Sequence, residues 1–340
     1  MRQLSICNAC RYCEGYCAVW DAIEFKSILN EGDIYHLSNL CHDCRDCYYA
    51  CPYNEPEHDF KLNIPKVLGQ VRVETYKDNL KPRFFGFALE KPILITATST
   101  IIAVAISIAY AAFSFGVDSF SSLPMTTIIP ISLFKPATIL VYLYTITLWS
   151  WEGLAYWSKI NQKERLSASG IGRGIRDAIF HKNFLGGGEG CKVPKLNSRY
   201  LRVISHLLVF FGFITALVSI SFYPDITGYF ALAYLFGSCS VTIGTAGMIY
   251  IHLKESKRSR SDEQALIDYP FTILLFFAGI TGIIVPLSLG TTLFNWNFII
   301  HDALIMVVFL LAPFSKFIHP VFRIISLMKY SSDSLRLSQK

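Results

Sequence analysis

Two cysteine runs near the start of the chain constrain its fold and chemistry more than any other feature. They are Cys7, Cys10, Cys13 and Cys17, followed by Cys41, Cys44, Cys47 and Cys51. Each run has the spacing C-x2-C-x2-C-x3-C, which brings thiolates to one face of a cubane iron–sulfur cluster. Eight of the ten cysteines belong to this pattern. We therefore expect two [4Fe-4S] clusters in one small domain, whose chemistry is electron transfer.

The fourth cysteine of each run is expected to bind the cluster of the other run, as it does in proteins with this spacing and two clusters. One predicted cluster takes Cys7, Cys10, Cys13 and Cys51, and the other takes Cys41, Cys44, Cys47 and Cys17. Zinc fits less well, because its sites use pairs of C-x2-C and each run here has a third and a fourth cysteine in register. Disulfides are disfavoured as well, because the six residues before Cys7 are too few for a signal peptide.

The composition predicts a membrane domain after the cysteine runs. Of the 340 residues, 52% are hydrophobic and only 16% charged, which is too apolar for an ordinary soluble protein. We predict a head at 1–92, a membrane domain at 93–322 and a basic tail at 323–340. A helix needs ~20 residues to cross a hydrocarbon core of ~30 Å. Six stretches are long enough, at about 93–115, 137–157, 201–223, 228–252, 270–290 and 298–319.

The distribution of lysine and arginine predicts the orientation of these helices. Basic residues concentrate in the connections 158–200 and 253–269 and in the tail. The other three connections, 116–136, 224–227 and 291–297, contain a single basic residue between them, Lys135. Basic connections face the cytoplasm. The sequence therefore predicts a multi-pass protein of the cell membrane, with the head and the C-terminus in the cytoplasm. The net charge of +6 is explained by these connections and indicates no nucleic-acid partner.

The head itself is predicted to be helical. Trp20, Ile23, Ile28 and Leu29 are spaced for one apolar side of a helix before Gly32, and Asp33 is placed to cap a second helix that runs into Cys41. The predicted fold class is therefore all-α, with a helical two-[4Fe-4S] ferredoxin head followed by a six-helix transmembrane bundle.

Iron–sulfur clusters beside a membrane domain suggest a second redox centre in the bilayer, commonly a b-type haem between two histidines. His206 and His319 lie at the same predicted depth near the cytoplasmic side, and we predict that they bind one haem b. His301 is 18 residues before His319, which is ~27 Å along one helix, and has no histidine opposite it for a second haem. His252 is a reserve ligand, and His181 receives no role.

The end of the chain resembles the last helix of the gamma subunit of respiratory nitrate reductase. The resemblance rests on the run Pro313–His319, preceded by His301. Both histidines bind haem in that family, and the partner helix has two histidines ten residues apart. Here those two positions are His206 and Ala216. The resemblance therefore implies the inner haem and makes a second one doubtful.

The whole chain resembles the tricarballylate utilisation protein B (CitB/TcuB-like) family. The matching elements are the Cys-x-Gly-Tyr-Cys sequence of Cys13–Cys17, the glycine-rich loop Leu185–Cys191, the segment His206–Gly212 and the ending Pro313–His319. The resemblance implies an electron-transfer subunit that reoxidises a cytoplasmic FAD-containing dehydrogenase and reduces membrane quinone. In the protein that gives this family its name, the partner dehydrogenase converts tricarballylate to aconitate.

Other interpretations remain open. An iron–sulfur subunit of a heterodisulfide-reductase-like enzyme would need further cysteine motifs, and only Cys191 and Cys239 are left over. A haem-free, membrane-anchored redox sensor would need no histidine ligands. No acid–base catalytic residue is identified, so a non-catalytic component is favoured over an enzyme. Glu152, Lys316 and His252 lie near the predicted inner end, where we expect quinone to be reduced.

Overall fold

The chain is helical throughout the part that the structure describes. The computed structural model describes residues 2–56, 58–128, 131–161, 166–182, 184, 196–221, 228–254 and 256–338. These residues contain no strand, only one isolated bridge between Asn54 and Leu62. The predicted all-α class is confirmed for these residues.

The N-terminal head consists of short helices separated by the cysteine loops. They are α1 (Arg2–Cys10), α2 (Ala18–Glu24), α3 (Glu31–Leu40), α4 (Asp46–Ala50) and α5 (Ile64–Asn79). Asn30 caps α3: its side chain accepts from the Asp33 N–H, and the Asp33 carboxylate accepts from the Asn30 N–H, both at 3.0 Å. Asp33 is thus the third residue of a capping box and not the cap that the sequence predicts.

Five helices in the described parts of the chain are long and apolar enough to cross a membrane. They are α7 (Pro92–Phe115), α12 (Leu196–Ile220), α13 (Gly228–Lys254), α14 (Asp262–Leu287) and α15 (Phe294–Leu311). The sixth predicted span falls in α10 (Ile131–Ile160), which is not one of these five. The shorter helices are α6 (Phe87–Glu90), α8 (Val117–Phe120), α9 (Met125–Ile128) and α11 (Ala168–Ile179).

The predicted last span, 298–319, is not one helix. After α15 ends at Leu311, two short 3-10 turns follow, and α16 (His319–Leu337) begins at the histidine itself. Ser315 between the turns is extended, with φ −137° and ψ −173°. Pro313 cannot donate a backbone hydrogen bond and so interrupts the helix. The prediction that His301 and His319 lie on one helix is therefore wrong.

The predicted basic tail is also a packed helix. In α16, Arg323 Nη1 donates to the Leu40 carbonyl at 2.6 Å, and the Ser326 carbonyl accepts from Nε2 of His36 at 3.0 Å. Both partners belong to α3 of the head. The two ends of the chain therefore lie on the same side of the molecule. The glycine-rich loop 185–191, with Cys191, and the connection 224–227 lie outside the described residues.

Candidate redox site

The structure brings the cysteine at the end of the first run to the second run. Cys17, Cys41, Cys44 and Cys47 all line one cavity. Cys17 directly precedes α2 and Cys41 directly follows α3, so the packing of these two helices places both at the cavity. Burial, and then the neighbouring Cys41, raises the pKa of the Cys17 thiol to about 12. Because metals bind thiolates, loading this group releases protons.

Likewise, the last cysteine of the second run, Cys51, lies near Cys7 of the first run. Burial, followed by the nearby Cys51 and then Cys10, raises the pKa of Cys7 to about 12. Cys13 is buried too, at 8% exposure. The exchange of Cys17 and Cys51 between the runs is the arrangement on which the two predicted ligand sets depend. The ligation itself stays a prediction.

The loops of the second run direct backbone N–H groups towards sulfur. The Asp43 N–H donates to Sγ of Cys41 at 3.3 Å, and the Tyr53 N–H donates to Sγ of Cys51 at 3.4 Å. Asp43 adopts a left-handed conformation with φ 55°, which tightens the turn after Cys41. Such hydrogen bonds set the reduction potential of a bound cluster.

Among the described residues, no group of three or more His, Cys, Asp or Glu side chains is arranged around one metal ion. Zinc holds each sulfur at ~2.3 Å, so its ligands lie within about 4 Å of one another. A four-iron cluster is larger than a single ion and holds its four thiolates further apart.

Three arginines from separate helices bind the backbone of the second run. Arg72 Nη2 donates to the Cys41 carbonyl at 2.7 Å, and Arg202 Nη1 donates to the Cys44 carbonyl at 2.9 Å. Arg323 binds the Leu40 carbonyl, as described above. These guanidinium groups come from α5, α12 and α16. They attach the head to the membrane helices and place positive charge where a cluster with four thiolates would be anionic.

His206 and His319 are brought together at this junction. Their ring centroids are 6.2 Å apart with an interplanar angle of 81°. Nδ1 of His319 lies 2.8 Å from the Lys316 carbonyl, which only accepts, so the ring donates from Nδ1. Its Nε2 is therefore the nitrogen that keeps a lone pair. A metal-binding histidine characteristically has this arrangement.

His181, to which the sequence assigns no role, fixes the ring of His206 in the same way. Nδ1 of His181 lies 3.0 Å from the Ile179 carbonyl and must donate to it. Nε2 of His181 consequently accepts from Nδ1 of His206, 2.8 Å away. Nε2 of His206 keeps its lone pair. Nothing in the sequence singles out His181, because it reaches His206 only through the packing of the segment after α11.

Ring contacts connect the two groups of ligands. His42 lines the cysteine cavity and stacks on Phe184 with a centroid distance of 5.4 Å. Phe184 in turn lies 5.0 Å from the ring of His206. The cysteine cavity and the His206–His319 pair therefore form one continuous site at the junction of head and membrane helices.

The remaining predicted histidine ligands lie elsewhere. Nε2 of His301 lies 2.5 Å from the Tyr234 hydroxyl and its Nδ1 lies 2.9 Å from Oγ1 of Thr281, so both ring nitrogens are engaged. The ring of His252 packs against Tyr269 with a centroid distance of 5.0 Å. Neither histidine joins the His206–His319 pair in the described contacts.

Glu152 and Lys316, two of the three residues named near the predicted inner end, make structural contacts. Glu152 accepts from the backbone N–H of Lys81 at 3.2 Å. Lys316 forms an ion pair with Asp268 at 2.8 Å. These contacts connect α10 to the head and the turn before α16 to α14.

The chain is similar to one family over nearly its whole length. The family model described as the citrate utilization protein B Fer4-like domain matches residues 1–78, and the model described as citrate utilization protein B matches residues 93–339. Citrate utilization protein B of Escherichia coli is 31% identical over 356 aligned residues, which cover 99% of this chain and 93% of that protein. No solved structure matches the chain.

Proposed function

Because the chain belongs to the citrate utilization protein B family, we propose that it is a membrane-bound electron-transfer subunit. It reoxidises a cytoplasmic FAD-containing dehydrogenase, similar to tricarballylate dehydrogenase, and passes the electrons to the quinone pool. The Fer4-like head and the helices able to cross a membrane support this role. The observation that carries the proposal is the chain of ring contacts from the cysteine cavity to His206 and His319.

The head is proposed to hold two [4Fe-4S] clusters. Cys7, Cys10, Cys13 and Cys51 bind one, and Cys41, Cys44, Cys47 and Cys17 bind the other. When bound, these groups accept and release one electron at a time, which suits a two-electron flavin donor and the steps that follow. The chain supplies thiolates, hydrogen bonds to sulfur and the arginine charges that balance the second cluster.

The His206–His319 pair is proposed to bind one haem b. Haem b would be held between the two imidazoles, whose ring centroids are 6.2 Å apart. The hydrogen bonds at Nδ1 of each ring would leave Nε2 of His206 and Nε2 of His319 to bind it. Lys316 through its carbonyl, and His181 through its ring, orient the two ligands.

Six crossings, with both ends in the cytoplasm, remain our proposal for the topology. The head contacts α16, and an odd number of crossings would separate them by the membrane. With five apolar helices, α10 supplies the sixth crossing. It runs beside α15, where the Tyr144 hydroxyl donates to the Leu310 carbonyl at 3.1 Å, and reaches α16, where the Tyr156 and Ser326 hydroxyls are 2.6 Å apart.

The test is a reduced-minus-oxidised optical spectrum of the purified protein, together with assays of iron, acid-labile sulfide and haem. We expect about eight cluster irons and about one haem b per chain. His319→Ala should lose the haem, whereas the matched variant His252→Ala should keep it. Clusters without haem in the unsubstituted protein would contradict the proposal and favour a haem-free redox sensor.

A further inference from the structure

A second cavity lies among the membrane helices. The space between the helices there amounts to about 900 Å³, part of which is open to the surroundings. Its walls come from α10, α12, α13, α14 and α15 and are mainly apolar. Ala216 on its wall is ten residues beyond His206 on α12, a rise of ~15 Å. The cavity therefore occupies a different layer of the membrane from the His206–His319 pair.

Polar groups are gathered on one part of this wall. Tyr234 and His301 both line the cavity and are hydrogen-bonded to each other, with Thr281 on the far nitrogen of the imidazole. These contacts hold the tyrosine hydroxyl and the imidazole in place at the edge of an otherwise apolar space. A few fixed polar groups in an apolar pocket are the usual composition of a site for an amphipathic ligand.

Asp302 is the most informative residue of the cavity. It is half-buried on the wall, next to His301, and makes no hydrogen bond or ion pair with any residue that the structure describes. A carboxyl group in a membrane helix is costly and marks a functional position by default. Asp302 is eight residues from the start of α15 at Phe294, so a rise of only ~12 Å separates it from that end of the helix.

We propose that this cavity binds a membrane quinone, with the head group beside Asp302 and the Tyr234–His301 pair and the isoprenoid tail along the apolar wall. The proposal rests on the function proposed above and places its quinone site. It moves quinone reduction away from the cytoplasmic side, where the sequence predicts it. The ligand is a flat ring with two acceptor oxygens and a long apolar tail, as the lining requires.

The reaction at this site is the two-electron reduction of quinone to quinol. Two electrons come from the reduced flavin of the partner dehydrogenase, one at a time, and each quinone oxygen receives one proton. Asp302 donates both protons in turn and is reprotonated each time by water from the near end of α15. Phe213 borders the cavity and its ring lies 5.4 Å from that of Phe317, two residues before His319. The site therefore adjoins the proposed electron donor.

The same residues disfavour a second haem in this cavity. A haem held from both sides needs a ligand opposite His301, and the residue of α12 at this level is Ala216. The coordinating nitrogens of His301 are both hydrogen-bonded. A quinone needs no such ligand: its head group packs beside the Tyr234–His301 pair, whose hydrogen bonds stay in place, and receives its protons from Asp302.

A binding measurement on the full-length, detergent-solubilised protein tests the site independently of electron transfer. The probe is a fluorescent alkyl-hydroxyquinoline N-oxide, a quinol analogue, whose fluorescence is quenched on binding. Leu217→Trp fills the cavity from α12, and the neighbouring Val218→Trp is the matched control, because Val218 is 54% exposed on the outer surface of the bundle. We expect at least tenfold weaker binding in the first variant and unchanged binding in the second.

Equal binding to both variants and to the unsubstituted protein would overturn the proposal. If both variants lose binding, photolabelling of the unsubstituted protein with an azidoquinone decides: adducts on α12 or α15 at the cavity support the site, and adducts elsewhere overturn it. A second haem that is lost in His301→Ala would also overturn it. Asp302→Asn should keep the probe but reduce quinone at least tenfold more slowly. If the probe binds as expected but no partner flavin reduces the clusters, the proposed function fails while the cavity remains a ligand site.

Discussion

Nε2 of His181 accepts a hydrogen bond from Nδ1 of His206, with 2.8 Å between the two nitrogens. The bond joins a residue after α11 to the middle of the proposed haem site. Because the bond uses Nδ1 of His206, it determines that Nε2 is the nitrogen available to a metal.

Replacing His181 by phenylalanine should change the redox potential of the haem without removing it. The acceptor makes His206 a more basic ligand and so stabilises oxidised iron. We expect His181→Phe to raise the midpoint potential by on the order of 30–60 mV, a three- to tenfold change in a one-electron equilibrium. A spectroscopic redox titration measures this shift. His58→Phe, in the head, is the control, and an identical potential in all three proteins would refute the positioning role.

Replacing Cys44 by serine should remove one of the two clusters. Cys44 lines the cavity with Cys17, Cys41 and Cys47, and a serine does not replace a thiolate ligand there. Iron should fall from about eight to about four atoms per chain, and quinone reduction should stop while the chain stays in the membrane. Cys239→Ser, within α13, should keep all of its iron. Full iron content in Cys44→Ser would contradict the proposed ligand set.

Replacing Arg72 should detach part of the head. Its guanidinium is buried and donates to the carbonyls of Ser38 and Cys41 and to Oε1 of Gln264. Hydrogen bonds to charged groups contribute about 1.5–3 kcal/mol each, so Arg72→Met should lower the free energy of unfolding by about 3 kcal/mol or more. Chemical denaturation followed at the cluster absorbance measures this. Arg173→Met on the exposed side of α11 should have little effect, and equal stabilities would disprove the anchoring role of Arg72.

The contact between the head and α16 should weaken in acid because of His36. Burial, and then the nearby Lys329, lowers the pKa of His36 to about 4, whereas an unfolded histidine titrates near ~6.5. Below about 6.5 the unfolded chain takes up a proton that the folded chain does not, so stability falls as the pH decreases towards 4. Over this pH range the free energy of unfolding should decrease by about 3 kcal/mol.

Unfolding measured from pH 7.5 to 4.5 tests the role of His36. The free energy of unfolding is measured for the unsubstituted protein and for His36→Gln at each pH. Subtracting one from the other removes the general effect of acid on the clusters, which both proteins share. This difference should shrink as the pH decreases, since glutamine does not titrate. A difference that is independent of pH would show that His36 does not carry the effect.

The parts of the site that follow from local spacing were accessible from the sequence. The position of Cys17 beside the second run agrees with the rule for this spacing, in which the fourth cysteine joins the other run. The proximity of His206 and His319 was predictable from their matching distances to the ends of the predicted helices. The all-helical class was predictable for the same reason, because both periodicity and capping act over a few residues.

The parts that depend on tertiary packing were not accessible. The break after Leu311 was missed because the apolar run continues past Pro313 and hides the interruption. The helix at 319–337 was missed because its buried side depends on the head, which is 280 or more residues away in the sequence. His181 has no local pattern, and its role becomes visible only when the segment after α11 folds onto α12.

The contact between α3 and α16 also bears on how the protein is made. The head leaves the ribosome first, yet Arg323 and Ser326, which close its inner side, are synthesised last. The head therefore acquires its complete set of contacts only after α16 has been synthesised. A chain that ends before α16 lacks the guanidinium that binds the Leu40 carbonyl and the carbonyl that binds the His36 ring, so the last residues made complete the first part to fold.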